Sequence, residues 1–145
     1  MHIKQATHDD FETIFAFVEQ MVEQSVFSFA KPSRKRIEEH FYYPKTGTFI
    51  AVADGVPIGF ISACVTPFFF SDIERATDLG FYIVPAHRGG SAAQRLLKTL
   101  EKWAKDMGMT HLFMGHSVGG KVEQMKSFYL RNGYQVGGFN SMKRL

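Results

Sequence analysis

A sequence of 145 residues, 45% apolar and 21% charged, has the length and balance of one globular domain, residues 1–145, with a buried core. No apolar run reaches the length of a membrane span, no signal-peptide pattern opens the chain, and the lone Cys64 excludes an internal disulfide, so a reducing cytoplasm is the expected compartment. The net charge of +3 suits an anionic ligand but is too small and scattered for nucleic acid, and one cysteine with 6 scattered histidines offers no metal-ligand spacing.

The stretch "HIKQA" reads as a short strand and "THDDFETIFAFVEQMV" as a helix. Thr7 is its N-cap, with Asp10 placed to close a capping box, and Phe11, Ile14, Phe15, Val18, Met21 and Val22 recur at helical spacing. "SRKRIEEHFYYP" is a second, shorter helix, capped by Ser33 and stopped before Pro44. "GTFIAVA" and "VPIGFISACV" flank Asp54-Gly55, the signal of a two-residue hairpin, and Pro57 and Gly59 mark a bulge or an edge. "TPFFFSDIE" reads as an aromatic loop and "RATDLGFYIV" as a strand ended by Pro85. The next helix has Ala93, Leu96, Leu97, Leu100, Ala104 and Met107 on one face and charged or polar residues on the other, with Gly108 as its stop. "THLFMG" is a strand, "KVEQMKSFYLRN" a helix ended by Gly133, and "YQVGGFNSMKRL" a pair of final strands. The expected order is β-α-α-β-β-β-α-β-α-β-β, a layered mixed α/β architecture.

The junction "AHRGGSAAQRLL" poses the functional question. A helix N-terminus carries four unpaired N–H groups and a partial positive charge. Small side chains before it let those groups reach a phosphate. Arg88, with His87 nearby, adds full positive charge, so residues 88 to 93 suit a diphosphate. The alternative is a tight strand-to-helix turn with no ligand. A dinucleotide fingerprint is excluded because G-x-G-x-x-G is absent, and no phosphate-loop motif ending in Gly-Lys-Ser/Thr is present.

"FYIVPAHRGGSAAQRLLKTLEKWAKDMGM" resembles the central motif of the GNAT acyltransferase superfamily, Gln/Arg-x-x-Gly-x-Gly/Ala between a strand and a long amphipathic helix. Arg88, Ser91 and Ala93 fall at its defining positions, and "SFYLRNGY" resembles the family's late helix. The element order is similar over nearly the whole chain. The resemblance implies a mixed, twisted sheet of about seven strands flanked by four helices. It implies N-acetyltransfer from acetyl-CoA to a primary amine of a small molecule, peptide or protein, and it admits a homodimer. By position it implies that the amides of Arg88, Gly89, Gly90, Ser91, Ala92 and Ala93 hold the CoA diphosphate. It further implies that the backbone of Phe81, Tyr82 and Ile83 pairs with the pantetheine arm where the strands "RATDLGFYIV" and "THLFMG" splay. Two positions depart from the pattern: Ser91 replaces a motif glycine, and Val122 stands where the family often has Asn.

Direct transfer needs an acceptor for the amine proton, donors for the oxyanion and a proton for the departing thiolate. The resemblance assigns the last role to Tyr129; its other reading is a helix aromatic packed on the sheet. Glu74, Asp78 and His116 are candidate bases, lying along or at the ends of the two central strands. A solvated strand residue and a loop histidine are the plainer readings of Asp78 and His116. Cys64, in an apolar strand, reads as a small buried hydrophobe. Phe27, Phe29, Phe68, Phe69, Phe70 and Phe139 are candidates for an acceptor wall suited to an amine on an apolar or aromatic group or to a peptide N-terminus; core or a dimer seam is the alternative. The basic run "KPSRKR" guides an acidic acceptor or is a solvated helix face. Two competing functions stay open: a non-catalytic acyl-CoA-binding or regulatory module of the same fold, and an interaction protein using its Phe-rich surface.

Overall fold

The structure, a computed structural model, describes residues 1–115, 121–138 and 141–145. Its elements are β1 (His2–Gln5), α1 (Phe11–Glu23), α2 (Arg34–Phe41), β2 (Thr46–Ala53), β3 (Val56–Pro67), β4 (Glu74–Ile83), α3 (Ala92–Asp106), β5 (Leu112–Phe113) and α4 (Val122–Arg131). The strands form one sheet in the order β1-β2-β3-β4-β5. All neighbours are antiparallel except β4 and β5, which are parallel.

Local chemistry explains most boundaries. The Thr7 amide donates to the Asp10 carboxylate at 2.8 Å, closing the capping box, but the turn it starts is a 3-10 helix, so α1 begins at Phe11. Ser33 Oγ accepts from the Arg36 amide and caps α2. Asp54 and Gly55 both have positive φ, 51° and 75°, which a tight two-residue hairpin demands. The expected irregularity near Pro57 and Gly59 is a bulge: Ala51 pairs with Gly59 but Val52 with Pro57, leaving Ile58 over.

The alternation of the strands gives the sheet two apolar faces. Ile50 and Val52 of β2, Phe60 of β3 and Tyr82 of β4 pack with Ile14 and Phe17 of α1. Phe49, Ala51, Ile61 and Ala63 pack on the other side with Leu96, Leu97 and Leu100 of α3 and with Tyr129 of α4. The three α3 leucines are fully buried, each contributing about 1.5 to 3 kcal/mol of transfer free energy. Met107, expected on that face, falls just past α3 and is exposed.

Three expectations are corrected. The sheet has five strands among the described residues, not about seven. Residues 134–138 and 141–145 contain no strand. Tyr134 folds back instead, its amide bonded to Tyr129 O and its hydroxyl to Glu101, and Gly138 with φ of 72° interrupts extended backbone. The expected strand "THLFMG" shortens to Leu112–Phe113, while β3 extends to Pro67 and leaves residues 68–73 as the aromatic loop.

Candidate active site

β4 changes character midway. Ala76 and Thr77 pair with Leu112 and Phe113 of β5, and the pairing stops there. On its other edge β4 stays bonded to β3 as far as Val84, whose amide donates to Ile58 O at 2.9 Å. Backbone direction alternates along a strand, so Tyr82 turns its N–H and C=O toward β3, and Phe81 and Ile83 turn theirs to the open edge. A second bulge lies just past the parting, in the open half: Ser62 pairs with Gly80 and Ala63 with Asp78, leaving Leu79 over.

Where the strands part, two of the candidate residues meet through one glycine. The Gly115 amide donates to the Asp78 carboxylate at 3.1 Å. The Tyr129 hydroxyl donates to Gly115 O at 3.0 Å. Burial pushes the Asp78 carboxyl above its ordinary value of 3.8, with the Gly115 amide pulling the other way. Burial, and then the charge of Asp78, raises the Tyr129 phenol well above its ordinary value, so it keeps its proton at neutral pH. A carboxylate made more basic thus stands near a phenol held protonated, which is the pairing of opposite roles that acid–base chemistry needs. Gly115 was not singled out in the sequence, where nothing marks it as the link between β4 and α4.

Beyond the open edge, the 3-10 turn Pro85–His87 leads into residues 88–91 and then α3. Gly89 has φ of 83°, and a Cβ added there would meet nothing within 4 Å, so the turn has open space around it. Gly90 and Ser91 are exposed, and Ser91, the N-cap of α3, makes no side-chain cap bond. The Arg88 amide, expected in the cradle, is already bonded to Pro85 O at 3.2 Å, whereas no side chain occupies the amides of Gly89 to Ala93 among the described residues. The chemistry of such a cradle suits a diphosphate, whose oxygens would satisfy those donors. Ala92 is buried against the α3 face of the core and Ala93 is half-buried. Arg88 donates from Nε to Ile83 O at 2.8 Å and from a terminal nitrogen to Gln24 Oε1 at 2.7 Å.

The remaining candidates lie apart. Glu74 starts β4, about 13 Å along the strand from Asp78. It forms an ion pair with Lys45 at 2.9 Å, and that contact raises the lysine pKa. His116 and Phe139 lie outside the described residues. Cys64 is buried in β3, and burial pushes its thiol up, against a role as nucleophile. Phe68 stacks on Phe70 at 5.2 Å and meets the edge of Phe113 at 5.7 Å. Since Phe113 pairs with Thr77, this cluster flanks the parting of the strands next to Asp78. Phe69 and Phe70 are exposed there, and Phe27 and Phe29 are exposed on the segment after α1. Among the described residues no helix is long and apolar enough to cross a membrane, and no three His, Cys, Asp or Glu cluster to hold a metal ion.

The fold has many solved counterparts. The ribosomal-protein-alanine N-acetyltransferase from Brucella melitensis biovar Abortus 2308 superposes with a TM-score of 0.74 at 14% identity, covering 100% of both chains. The aminoglycoside acetyltransferase AAC(6')-Iy, bound to a bisubstrate analogue of CoA and acetylneamine, gives 0.77 at 20% identity over 99% of this chain and 97% of its own. The aminoglycoside 6'-N-acetyltransferase AAC(6')-IG from Acinetobacter haemolyticus gives 0.72 at 16% identity, over 100% and 99%. A comparison with curated protein sequences finds no match. The model of the acetyltransferase (GNAT) family matches residues 8–134, from the first turn to the tyrosine after α4. With that match spanning the open edge of β4, the cradle and the Asp78–Gly115–Tyr129 link, the chain belongs to the acetyltransferase (GNAT) family.

Proposed function

We propose that this acetyltransferase moves an acetyl group from acetyl-CoA directly to a primary amine of a small molecule or peptide, residues 1–145 acting as one cytoplasmic domain. The observation that carries the reading is the shared glycine: Asp78 and Tyr129 are bonded to the N–H and C=O of Gly115 where β4 and β5 separate. The cofactor would lie along the open backbone of Phe81 and Ile83 with its diphosphate on residues 88–93. The amine would approach from the opposite end of β4, past Phe68, Phe70 and Phe113. Such a wall favours an amine borne on a ring or apolar frame, and the acceptors named for AAC(6')-Iy and the ribosomal-protein enzyme are amines of both kinds of molecule.

Each residue then has a defined task. As the amine nitrogen bonds to the acetyl carbon, Asp78 takes the proton that the nitrogen sheds. The bulge at Leu79 frees backbone from the ladder beside the site, the kind of donor a developing oxyanion requires. As the carbon–sulfur bond breaks, Tyr129 gives its proton to sulfur, rotating its hydroxyl away from Gly115 O. The two transfers help each other: a protonated Asp78 no longer holds the Tyr129 proton in place by its charge.

The test is thiol release from acetyl-CoA against a panel of aminoglycosides, aryl-alkyl amines and peptide N-termini. Turnover with at least one amine class supports the reading. Thermal stabilisation by CoA with no turnover on any amine would instead identify a binding module.

A further inference from the structure

The motif arginine is held by a chain of side chains that reaches into α1. The Gln24 amide nitrogen donates to Tyr82 Oη at 2.9 Å, and that hydroxyl donates to Gln20 Oε1 at 3.1 Å. Tyr82 is 2% exposed, so its position is set by the core. The Arg88 guanidinium lies over the same tyrosine ring, 5.4 Å from its centroid. The Gln24 amide has one workable orientation, because flipping it would set a donor against the guanidinium. Gln24 is also the C-cap of α1, so the arginine sits by the partly negative end of that helix.

Every partner in this chain is neutral. Among the described residues Arg88 forms no ion pair with a carboxylate. The guanidinium is therefore fixed in place with its charge uncancelled, beside the turn that leads into the helix-start amides. We propose that Gln24 is a positioning residue for the acyl-CoA diphosphate: bonded to Arg88 and to buried Tyr82, it holds the guanidinium and the turn at residues 85–91 ready before the cofactor arrives, without neutralising the charge. The inference rests on the diphosphate reading of residues 88–93. Pre-setting a long, mobile side chain removes its ordering cost from the binding step. A glutamate at this position would hold Arg88 equally well but would cancel its charge.

The experiment titrates CoA calorimetrically into the wild-type chain, Gln24→Ala, Gln24→Glu, Arg88→Met and the double variant Gln24→Ala/Arg88→Met, with a thermal midpoint for each. Gln24→Ala is expected to weaken CoA about tenfold. Gln24→Glu is expected to weaken it at least as much while its midpoint holds, an outcome that a purely structural role does not produce. The double variant should bind no more weakly than Arg88→Met alone. Wild-type affinity in Gln24→Glu, or an Ala effect of equal size with and without Arg88, overturns the assignment. Failure of the wild-type chain to bind CoA is a separate result: it removes the diphosphate site itself, and this role with it.

Discussion

The two halves of β4 make the most instructive contrast in the molecule. In its first half, Glu74 to Thr77, the strand begins in a surface ion pair and is bonded at Ala76 and Thr77 on both sides, to β3 and to β5. From Asp78 to Ile83 it keeps β3 but has no pairing with β5. Backbone groups without a strand partner must find water, a side chain or a ligand. Arg88 already takes one such group, the carbonyl of Ile83. Where β4 is paired on both sides it leaves no open edge, while the open half collects Asp78, the bulge and, through Gly115, Tyr129. The site thus sits where the sheet stops satisfying itself.

The strongest way to break this contrast is Asp78→Asn, which keeps the shape and the bond from Gly115 but removes the proposed base. Turnover should fall by about 10²- to 10⁴-fold, measured by thiol release under saturating acetyl-CoA. In the wild type, turnover should rise with pH as Asp78 loses its proton, at a pKa above 3.8, and this limb should vanish in the variant. Stability should move the other way. Burial raises the folded-state pKa, so the carboxyl stabilises the fold most at low pH, and that contribution fades as pH rises through the folded value. At neutral pH the amide therefore leaves the thermal midpoint unchanged or higher.

Tyr129→Phe should come next, with turnover down about 10²-fold and CoA affinity within about twofold of wild type. Full turnover would show that sulfur receives its proton elsewhere. Gly89→Ala probes the cradle. Its φ of 83° costs an L-residue about 1 to 2 kcal/mol, and the open space around it lets the turn relax and move the amides. CoA should bind up to about tenfold more weakly, with turnover at saturation preserved. The smallest effect belongs to the paired half: Glu74→Gln breaks the exposed contact with Lys45 and should leave turnover within about twofold. A large loss there would return Glu74 to the list of bases and erase the distinction between the halves.

Much of this was legible in the sequence because it is written over short distances. The hairpin at Asp54-Gly55, the caps at Thr7 and Ser33, the buried stripe of α3 and the small-residue helix start each depend on residues within a turn or two of one another. The motif resemblance points to Tyr129, and alternation along a strand places Asp78 among three candidate bases. The expected pair of final strands is absent among the described residues: alternating residues after Tyr134 look extended, whereas Tyr134 bonds back to Glu101 and Gly138 takes a positive φ.

The sequence by itself determined the helices, the hairpin and the exposed amides ahead of α3, since periodicity, capping and turn chemistry act between near neighbours. Only the tertiary structure brings Asp78 to Tyr129, because the bond joining Asp78 to Gly115 spans 37 positions and that joining Tyr129 to Gly115 spans 14. It likewise decided that Arg88 is held by Gln24, 64 positions away. Contacts at such separations are fixed by how the sheet, α1 and α4 pack together, and no local pattern in the chain encodes them.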